Sequence, residues 1–283
     1  MAPTQNKLMI LSLLALLALP FLPGKAQAQT MIMPTRVTFE NRDRSAEITL
    51  FNPSNQNPVT YKLMWLNRAL TEDGNFKTLD GPLNPEFDPE TALLFSPRQV
   101  TLPPGGKQKL RISLRRPADL PDGEYRAHLN VQRQGGGTRD LRATGVPDGL
   151  NLKMGMNFGI AIPVIVRQGG PYDTTATIGK PGFVPASADG KKPAQIKFDI
   201  TRTGKYSANG KVTVFWTPPG GKEQIIANRN NMKVYHEVDK LQVTLPLRKG
   251  VTRVTDGSLR IVFEGEDPDD GIKFDEKIFP IGG

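Results

Sequence analysis

Hydrophobic and polar residues alternate along most of this chain, in runs of four to eight residues. No stretch keeps the 3.6-residue spacing of an amphipathic helix for more than a turn or two. Because successive side chains of a strand point to opposite faces, the pattern predicts half-buried strands with one face on a core. The clearest runs have these apolar positions: Val59, Tyr61, Leu63 and Trp65; Leu110, Ile112 and Leu114; Tyr125, Ala127, Leu129 and Val131; Val212, Val214 and Trp216; Leu241, Val243, Leu245 and Leu247.

Turn-forming pairs separate these runs at short intervals. Glycine permits the positive φ that tight turns require, and Asn, Asp and Pro favour the preceding turn positions. Predicted turns lie at Asp73-Gly74, Pro104-Gly105, Asp122-Gly123, Asn209-Gly210 and Asp256-Gly257. Many short strands at this spacing are typical of β-sandwiches, so we predict an all-β fold.

The chain divides near residue 170. Gln168-Gly169-Gly170-Pro171 closes a first set of strands, and a segment rich in Pro, Gly and Lys, residues 180–193, opens a second. Each part holds about as many strand-like runs as one immunoglobulin-like sandwich. We predict two such domains, residues 29–168 and 169–283. A single β-barrel made by the whole mature chain is the competing architecture.

The first 28 residues are typical of a signal peptide. Lys7 precedes an apolar stretch from Leu8 to Leu22, and Ala26-Gln27-Ala28 forms a small-x-small cleavage site. The apolar stretch is shorter than the roughly twenty residues of a membrane-spanning helix. We therefore predict export with cleavage after Ala28, and a retained N-terminal anchor is the alternative.

Composition narrows the possible chemistry. The 283 residues include no cysteine and two histidines, and the formal net charge is +9. Disulfides, thiolate metal sites and cysteine nucleophiles are excluded, and an exported protein without disulfides fits a bacterial periplasm. Phosphate-binding loops and hydrolase or metalloprotease motifs are absent as well. We expect a non-enzyme that uses no cofactor, metal or small-molecule substrate.

Two charged features remain to be interpreted. The Lys and Arg residues are scattered without a dense run, which disfavours nucleic-acid binding but suits acidic or membrane-proximal partners. The acidic run 264–270 has the composition of a calcium loop, but Pro268 occupies a ligand position and Lys277 stands where the bidentate Glu belongs. We predict a solvent-facing hairpin turn there.

The segment 153–167, KMGMNFGIAIPVIVR, has an unusual distribution of side-chain size. Large apolar side chains project from one face, and the other face carries mostly small residues. Pro163 has no amide hydrogen for a ladder, which predicts a sheet edge. Since hydrophobic edge strands pair with other chains, we predict a partner-binding strand, with a core strand as the alternative for its C-terminal half. The candidate residues are Met154, Met156, Phe158, Ile160, Ile162 and Val164.

Several segments resemble the periplasmic chaperones of the chaperone–usher pilus pathway, the PapD-like family. PTRVTF at 34–39 is similar to the first strand of that family. SPRQV at 96–100 and LPPGGKQKLRI at 102–112 are similar to its most specific core motif. DGEYRAHL at 122–129 and IPVIVR at 162–167 are similar to two later strands. The resemblance covers residues 31–167, whereas the second domain matches only in size and strand content.

The resemblance implies two immunoglobulin-like domains set at an angle, with a subunit-binding cleft between them. Chaperones of this family lend a strand to a pilus subunit that lacks one, which is a form of β-strand addition. Arg36 matches an arginine that anchors the subunit's C-terminal carboxylate, but the family's anchoring lysine falls on Pro163. Arg167 and Asp122 match an arginine and an acid at the domain junction. The missing lysine and the long loop before segment 153–167 indicate a divergent branch.

These observations favour a periplasmic chaperone for pilus or fimbrial subunits, which it delivers to an outer-membrane usher in pilus biogenesis and cell wall organization. An exported immunoglobulin-like structural or adhesive surface protein is the alternative. It is disfavoured because only Gln29 to Met33 precede the predicted first strand, which is too few for a subunit's donor extension. A secreted sandwich hydrolase or carbohydrate-binding module would need a carboxylate pair or an aromatic platform. A solvated strand arginine is the alternative for Arg36. We predict that Trp65 and Trp216 are core residues, because both end alternating strands.

Signal-peptide cleavage after Ala28 predicts a mature N-terminus at Gln29. Intact-mass measurement of the protein recovered from the periplasm should give the mass of residues 29–283. An uncleaved, membrane-bound form would contradict the prediction.

Overall fold

The computed structural model describes residues 31–135, 138–141, 152–155, 158–170, 172–187, 189, 191–251 and 253–282, with backbone alone for residues 31, 138–141 and 152–155. The predicted signal peptide, residues 1–28, lies outside the described residues. Within them the alternating runs form strands, and the helical structure is one short helix, α1 (Pro89–Ala92), capped by the Asp88 carboxylate. No described helix has the length and apolar character of a membrane span.

Thirteen strands precede residue 170 and eight follow it in the described part of the chain. The first set is β1 (Met31–Met33), β2 (Val37–Phe39), β3 (Ser45–Phe51), β4 (Val59–Leu66), β5 (Arg68–Leu70), β6 (Phe76–Thr78), β7 (Leu93–Ser96), β8 (Gln99–Leu102), β9 (Lys107–Leu114), β10 (Gly123–Gln134), β11 (Thr138–Leu141), β12 (Leu152–Gly155) and β13 (Gly159–Gln168). The second set is β14 (Thr175–Ile178), β15 (Gly182–Val184), β16 (Gln195–Thr203), β17 (Ala208–Thr217), β18 (Gln224–Val234), β19 (Lys240–Pro246), β20 (Gly257–Gly265) and β21 (Lys273–Ile281).

The first set folds into a sandwich of two sheets, with strand orders β1-β3-β9-β7 and β2-β13-β10-β4-β8. The predicted alternation is confirmed, since the apolar positions of β4, β9 and β10 meet in one core between the sheets. Trp65 lies in this core and donates its indole N–H to the Leu93 carbonyl oxygen, at 3.0 Å. At the start of this domain the chain crosses from one sheet to the other. Strand β1 pairs with β3 in the first sheet, and β2 pairs with β13 in the second. Residues 31–33 are therefore already a strand, which corrects the expectation that the first strand starts after Met33.

The second set forms another sandwich. Strand β16 pairs with β14, β15 and β19 in one sheet, and the other sheet has the order β18-β17-β20-β21. Its core is separate from the first and contains the apolar positions of β16, β17, β19 and β20, with Trp216 packed against it. Two sandwiches with two cores confirm the predicted all-β, two-domain fold. The single-barrel alternative is wrong.

A small hairpin of the first domain, β5 and β6, reaches into the second domain. Leu70 is buried in the second domain's core, and its N–H donates to Glu237 Oε1 at 2.9 Å. The Gln242 N–H donates to the Glu72 carbonyl oxygen at 2.7 Å, so backbone hydrogen bonding also crosses the junction. Ile165 of β13 lies in the same core. The two domains therefore share buried apolar contacts in addition to their own cores.

The turn predicted at Asn209-Gly210 is wrong, because both residues lie inside β17. Asn209 is buried, and Asp269 Oδ2 accepts hydrogen bonds from its backbone N–H at 2.9 Å and from its side-chain amide at 3.0 Å. A side chain on Gly210 would overlap the carbonyl oxygen of Glu264 on the neighbouring strand. Asn209 thus forms buried hydrogen bonds, and Gly210 allows the two strands to approach closely. A shift in strand register follows Gly210.

We expect Gly210→Ala to destabilise the protein by about 1–3 kcal/mol, because the added methyl group meets backbone that cannot rotate away. Gly81→Ala is the matched control, since a Cβ there has no atom within 4 Å. Denaturant unfolding of both variants measures the difference. Equal midpoints for the two variants would contradict the close approach of β17 and β20.

Candidate functional site

Strand β13 has an open edge over its first half. It pairs with β10 along its whole length, from Gly159 to Gln168, but pairs with β2 only from Val164 to Val166. Among the described residues, the stretch from Gly159 to Pro163 therefore has no strand partner on its outer side. Pro163 lies where this open stretch meets the β2 pairing, in keeping with the predicted sheet edge. Unpaired edges of this kind accept strands from other chains.

The exposure of the apolar side chains changes along the same strand. Phe158 and Ile160 are 63% and 38% exposed, whereas Ile162 and Val164 are 2% and 0% exposed. Ile162 and Val164 belong to the core of the first sandwich. The core interpretation therefore holds for the C-terminal half of the strand. The candidate partner-binding set loses these two residues and keeps Phe158 and Ile160.

The single strand predicted over residues 153–167 is divided in the structure. Residues 152–155 form β12, which pairs with β11 with Met154 opposite Arg139, and β13 begins only at Gly159. Strand β10, the partner of β13, ends at Gln134, so its ladder does not extend to residue 154. Met156 and Asn157 lie outside the described residues, as does the side chain of Met154.

Arg36 lies at the end of the open edge. It immediately precedes β2, whose first residue, Val37, is opposite Val164 of the parallel strand β13. Its side chain is 14% exposed and contacts the second domain, where Asp267 Oδ2 accepts a hydrogen bond from Nη2 at 2.7 Å. The Asp267 carbonyl oxygen accepts from the same nitrogen. Arg36 is therefore held between the domains, which makes a solvated strand arginine the wrong interpretation.

Two further cations line the cleft behind Arg36. Arg126 of β10 is fully buried, donates to Glu237 of the second domain, and stacks on the Tyr235 ring at 3.8 Å from the centroid. Lys233 of β18 is half-buried. Burial and, to a smaller extent, the charges of Arg36 and Arg126 lower the pKa of Lys233 to about 8, against the opposing effect of Glu266. The positive charge here is largely balanced, because Arg36 and Arg126 are each paired with an acid of the second domain.

Arg167 occupies the domain junction, where the resemblance places it. Its guanidinium is buried between Glu124 Oε2 at 3.3 Å and Asp269 Oδ1 at 3.0 Å, so it joins a first-domain acid to a second-domain acid. Asp122 does not take part: it is exposed and lies against Gly169. The junction acid of the first domain is therefore Glu124, which corrects the assignment of Asp122.

Glu124 is the most enclosed acid of this junction. Ser207 of the second domain donates its backbone N–H to Glu124 Oε2 at 3.1 Å and its hydroxyl to Oε1. Burial raises the pKa of Glu124, but His236, Arg167 and the Ser207 hydroxyl outweigh that effect and lower the pKa to about 2. Glu124 is thus ionised at neutral pH.

Sequence reasoning missed Glu124, Arg126 and Lys233. A signal was present for two of them, because Glu124, Arg126 and His128 alternate along β10 on the face opposite Tyr125, Ala127 and Leu129. In an isolated sandwich that polar face would meet water, but here every one of these side chains is buried. Burial on both faces of this strand arises from the second domain and from Phe76 of the β5–β6 hairpin, which strand periodicity alone does not reveal.

The acidic run 264–270 forms the predicted turn between β20 and β21, but the turn contacts the first domain rather than only solvent, and Asp269 is buried. Its carboxylates diverge, with Asp267 on Arg36 and Asp269 on Arg167 and Asn209. In the part of the chain that the structure describes, no three His, Asp or Glu side chains are grouped to hold a metal ion.

Four arginines of the first domain are grouped around a surface concavity. This concavity of about 720 Å³ is lined by Arg42, Arg44, Arg115 and Arg116 together with Asp43 and Leu94, and Arg116 donates to the Arg167 carbonyl oxygen at 3.2 Å, so it lies next to the domain junction. It is separate from the cleft, and the exposed strand edge is not part of its lining.

No protein-family model matches the chain, and no curated protein matches it in sequence. The solved structures that it resembles include periplasmic chaperones of pilus systems. One is the CsuC–CsuE chaperone–tip adhesion subunit complex from archaic chaperone-usher Csu pili of Acinetobacter baumannii, at 12% identity, 90% and 99% coverage of the two chains, and a TM-score of 0.43. Others are the Pseudomonas aeruginosa CupB2 chaperone (12%, 89% and 99%, 0.42) and the Salmonella enterica SafA pilin with the SafB chaperone (14%, 91% and 99%, 0.43). These values are too low to assign a function to this chain.

The low pKa of Glu124 predicts how acid weakens the domain junction. The pKa in the folded protein, about 2, lies below the ordinary 4.5, so the ionised group stabilises the fold fully above pH 4.5. This stabilisation is lost as the pH falls from 4.5 towards 2. Glu124→Gln should lower the melting temperature at pH 6, since breaking a buried pair costs about 3–5 kcal/mol, and the deficit should shrink towards pH 2.

Glu47→Gln is the control for this series, because Glu47 forms an exposed ion pair with Lys109 on β9. Its melting temperature should follow the wild type at every pH. A Glu124→Gln deficit that stays constant from pH 6 to pH 2 would contradict the assignment of a low pKa.

Proposed function

We propose that this chain is a non-enzymatic periplasmic chaperone that binds pilus or fimbrial subunits by strand addition and delivers them to an outer-membrane usher. The observation that carries the proposal is the open edge of β13 from Gly159 to Pro163, with apolar side chains exposed beside it and Arg36 at its end. The sequence motifs at 34–39, 96–112, 122–129 and 162–167 point to the same class of protein.

The geometry of the edge supports capture of a strand. A strand added beside residues 159–163 would continue the line of β2, because β2 already pairs with the next residues of β13. If it runs parallel to β13, as β2 does, its C-terminal end lies next to Arg36. A guanidinium at that point suits a terminal carboxylate, to which it can make charge-assisted hydrogen bonds. We assign Arg36 as the anchor for the subunit's C-terminus.

The side chains at the start of β13 supply the apolar part of the interaction. Alternate residues of a strand project to one face at about 6.6–6.8 Å spacing, so Phe158 and Ile160 match successive pockets of a groove that lacks a strand. Full burial of such a side chain contributes about 1.5–3 kcal/mol. Met154 and Met156 precede them in the sequence alternation, although residues 152–155 pair with β11 rather than with β10. Thioether side chains adapt to irregular pockets, which suits a chaperone for several related subunits.

Expression with the candidate subunits, followed by purification of a tagged chaperone from the periplasm and mass spectrometry, tests the proposal. We expect a stoichiometric, small, β-rich polypeptide to co-purify with the wild type. Ile160→Asp should abolish most of this recovery, since it places a charge on the apolar edge. A protein that purifies alone from cells expressing pilus subunits would contradict the proposal.

Leu94→Asp is the matched control, because Leu94 is 40% exposed, close to the 38% of Ile160, but lies on β7 in the opposite sheet. Both variants should keep the wild-type circular dichroism spectrum and melting temperature within a few degrees. Subunit recovery that falls equally in both variants would show a general loss of solubility rather than a specific edge. Unfolding of the isolated protein by Ile160→Asp would assign Ile160 to the protein's own core.

A further inference from the structure

The arginine concavity, lined by Arg42, Arg44, Arg115 and Arg116, lies at one end of the sheet β1-β3-β9-β7. Arg42 and Arg44 belong to the segment that leads into β3, and Arg115 and Arg116 directly follow the end of β9. The two segments are neighbours, because the Leu114 N–H donates to the Arg44 carbonyl oxygen at 2.8 Å. The antiparallel pairing of β3 and β9 thus brings four arginines to one hollow.

Three of these arginines have no counter-ion. Arg42, Arg44 and Arg115 are exposed, and none of their side chains forms a hydrogen bond or an ion pair within the described residues. The acid of the lining is Asp43, whose Oδ2 accepts a hydrogen bond from the Glu40 N–H at 2.9 Å and so closes its own turn. The lining therefore carries an excess of positive charge that the protein does not balance.

The fourth arginine, Arg116, is fixed by neutral acceptors. Its Nη1 donates to the Arg167 carbonyl oxygen at 3.2 Å and to Gln168 Oε1 at 2.9 Å, and its Nη2 donates to the Glu40 carbonyl oxygen. The Glu40 carboxylate is engaged elsewhere, since it accepts from the Tyr172 hydroxyl and lies 4.0 Å from Arg167. Arg116 is therefore a positioned cation beside three unpaired ones.

The shape and chemistry of the concavity favour a compact anion. Hollows lined by charges of one sign focus the electrostatic potential and concentrate counter-ions. The volume of about 720 Å³ lies within the range of small-ligand sites, about 300–1,000 Å³. Arginine forks fit phosphate oxygens two at a time. An extended acidic peptide spaces its carboxylates on one face by about 6.6–6.8 Å, so it presents less charge to a single hollow than adjacent phosphate groups do.

We propose that the arginine concavity binds a ligand with two or more adjacent phosphate groups, either a soluble polyphosphate or the phosphorylated headgroup of a lipid. Leu94 of β7 also lines the concavity and is 40% exposed, so an apolar contact for a lipid chain lies beside the arginines. Neither Arg36 nor the open stretch of β13 belongs to the lining. The inference is therefore independent of the strand-addition proposal and assigns a second site to the first domain.

Isothermal titration calorimetry of the purified mature protein with inorganic pyrophosphate at low salt tests the site. The wild type should bind pyrophosphate saturably. Arg44→Gln and Arg115→Gln should each weaken binding about fivefold, the upper end of the range for exposed ion pairs, and the double variant about twentyfold. Arg253→Gln is the matched control, because Arg253 is an exposed arginine of the second domain without a side-chain partner among the described residues. Its affinity should equal that of the wild type, and all variants should keep the wild-type melting temperature.

Co-sedimentation with phosphatidylcholine vesicles, with and without cardiolipin, distinguishes the two sources of phosphate, since the cardiolipin headgroup carries two phosphates. Binding to the cardiolipin vesicles that the double variant loses assigns a lipid headgroup. Pyrophosphate binding that the double variant loses, without vesicle binding, assigns a soluble ligand. Absence of pyrophosphate binding, or equal binding by the wild type and the double variant, would overturn the proposal. Tighter binding of a hexaglutamate peptide than of pyrophosphate would overturn the phosphate class in favour of an acidic protein segment.

Discussion

The site depends on one buried cation. Arg167 sits between Glu124 of the first domain and Asp269 of the second, with almost no exposure of any of the three side chains. A buried ion pair adds little net stability compared with apolar residues of the same shape, but leaving one charge unpaired is costly. The network therefore acts mainly as a constraint on geometry, because only the observed placement of the domains satisfies all three charges. The same placement pairs Arg36 and Arg126 of the first domain with Asp267 and Glu237 of the second.

The sequence predicted the fold well because strand periodicity records which face meets a core. The runs at β4, β9, β10, β17 and β19 are strands with the expected apolar faces buried. The same reasoning predicted an edge at segment 153–167, and Phe158 and Ile160 are exposed beside the open stretch of β13. These features depend on local alternation, on a proline and on short motifs, all of which can be read along a single segment.

Features that depend on a second segment were predicted less well. Asn209-Gly210 reads as a turn, but Asp269, sixty residues later, holds Asn209 inside a strand. Asp122 was assigned from the resemblance, and nothing in the segment 122–129 shows that the second domain covers Glu124. The extent of β13 depends on where β10 ends, so the pattern at 153–167 reads as one strand although its first residues pair elsewhere. In each case the deciding contact is distant in sequence.

The β5–β6 hairpin of the first domain makes the second domain depend on the first for part of its core. Leu70 and Ile165 fill positions in the core of the second sandwich, although both belong to the first by chain order. A second domain cut out at residue 170 would carry an open apolar socket where these side chains belong. The second sandwich therefore takes part of its core from the first, so it is not an independent module on a linker.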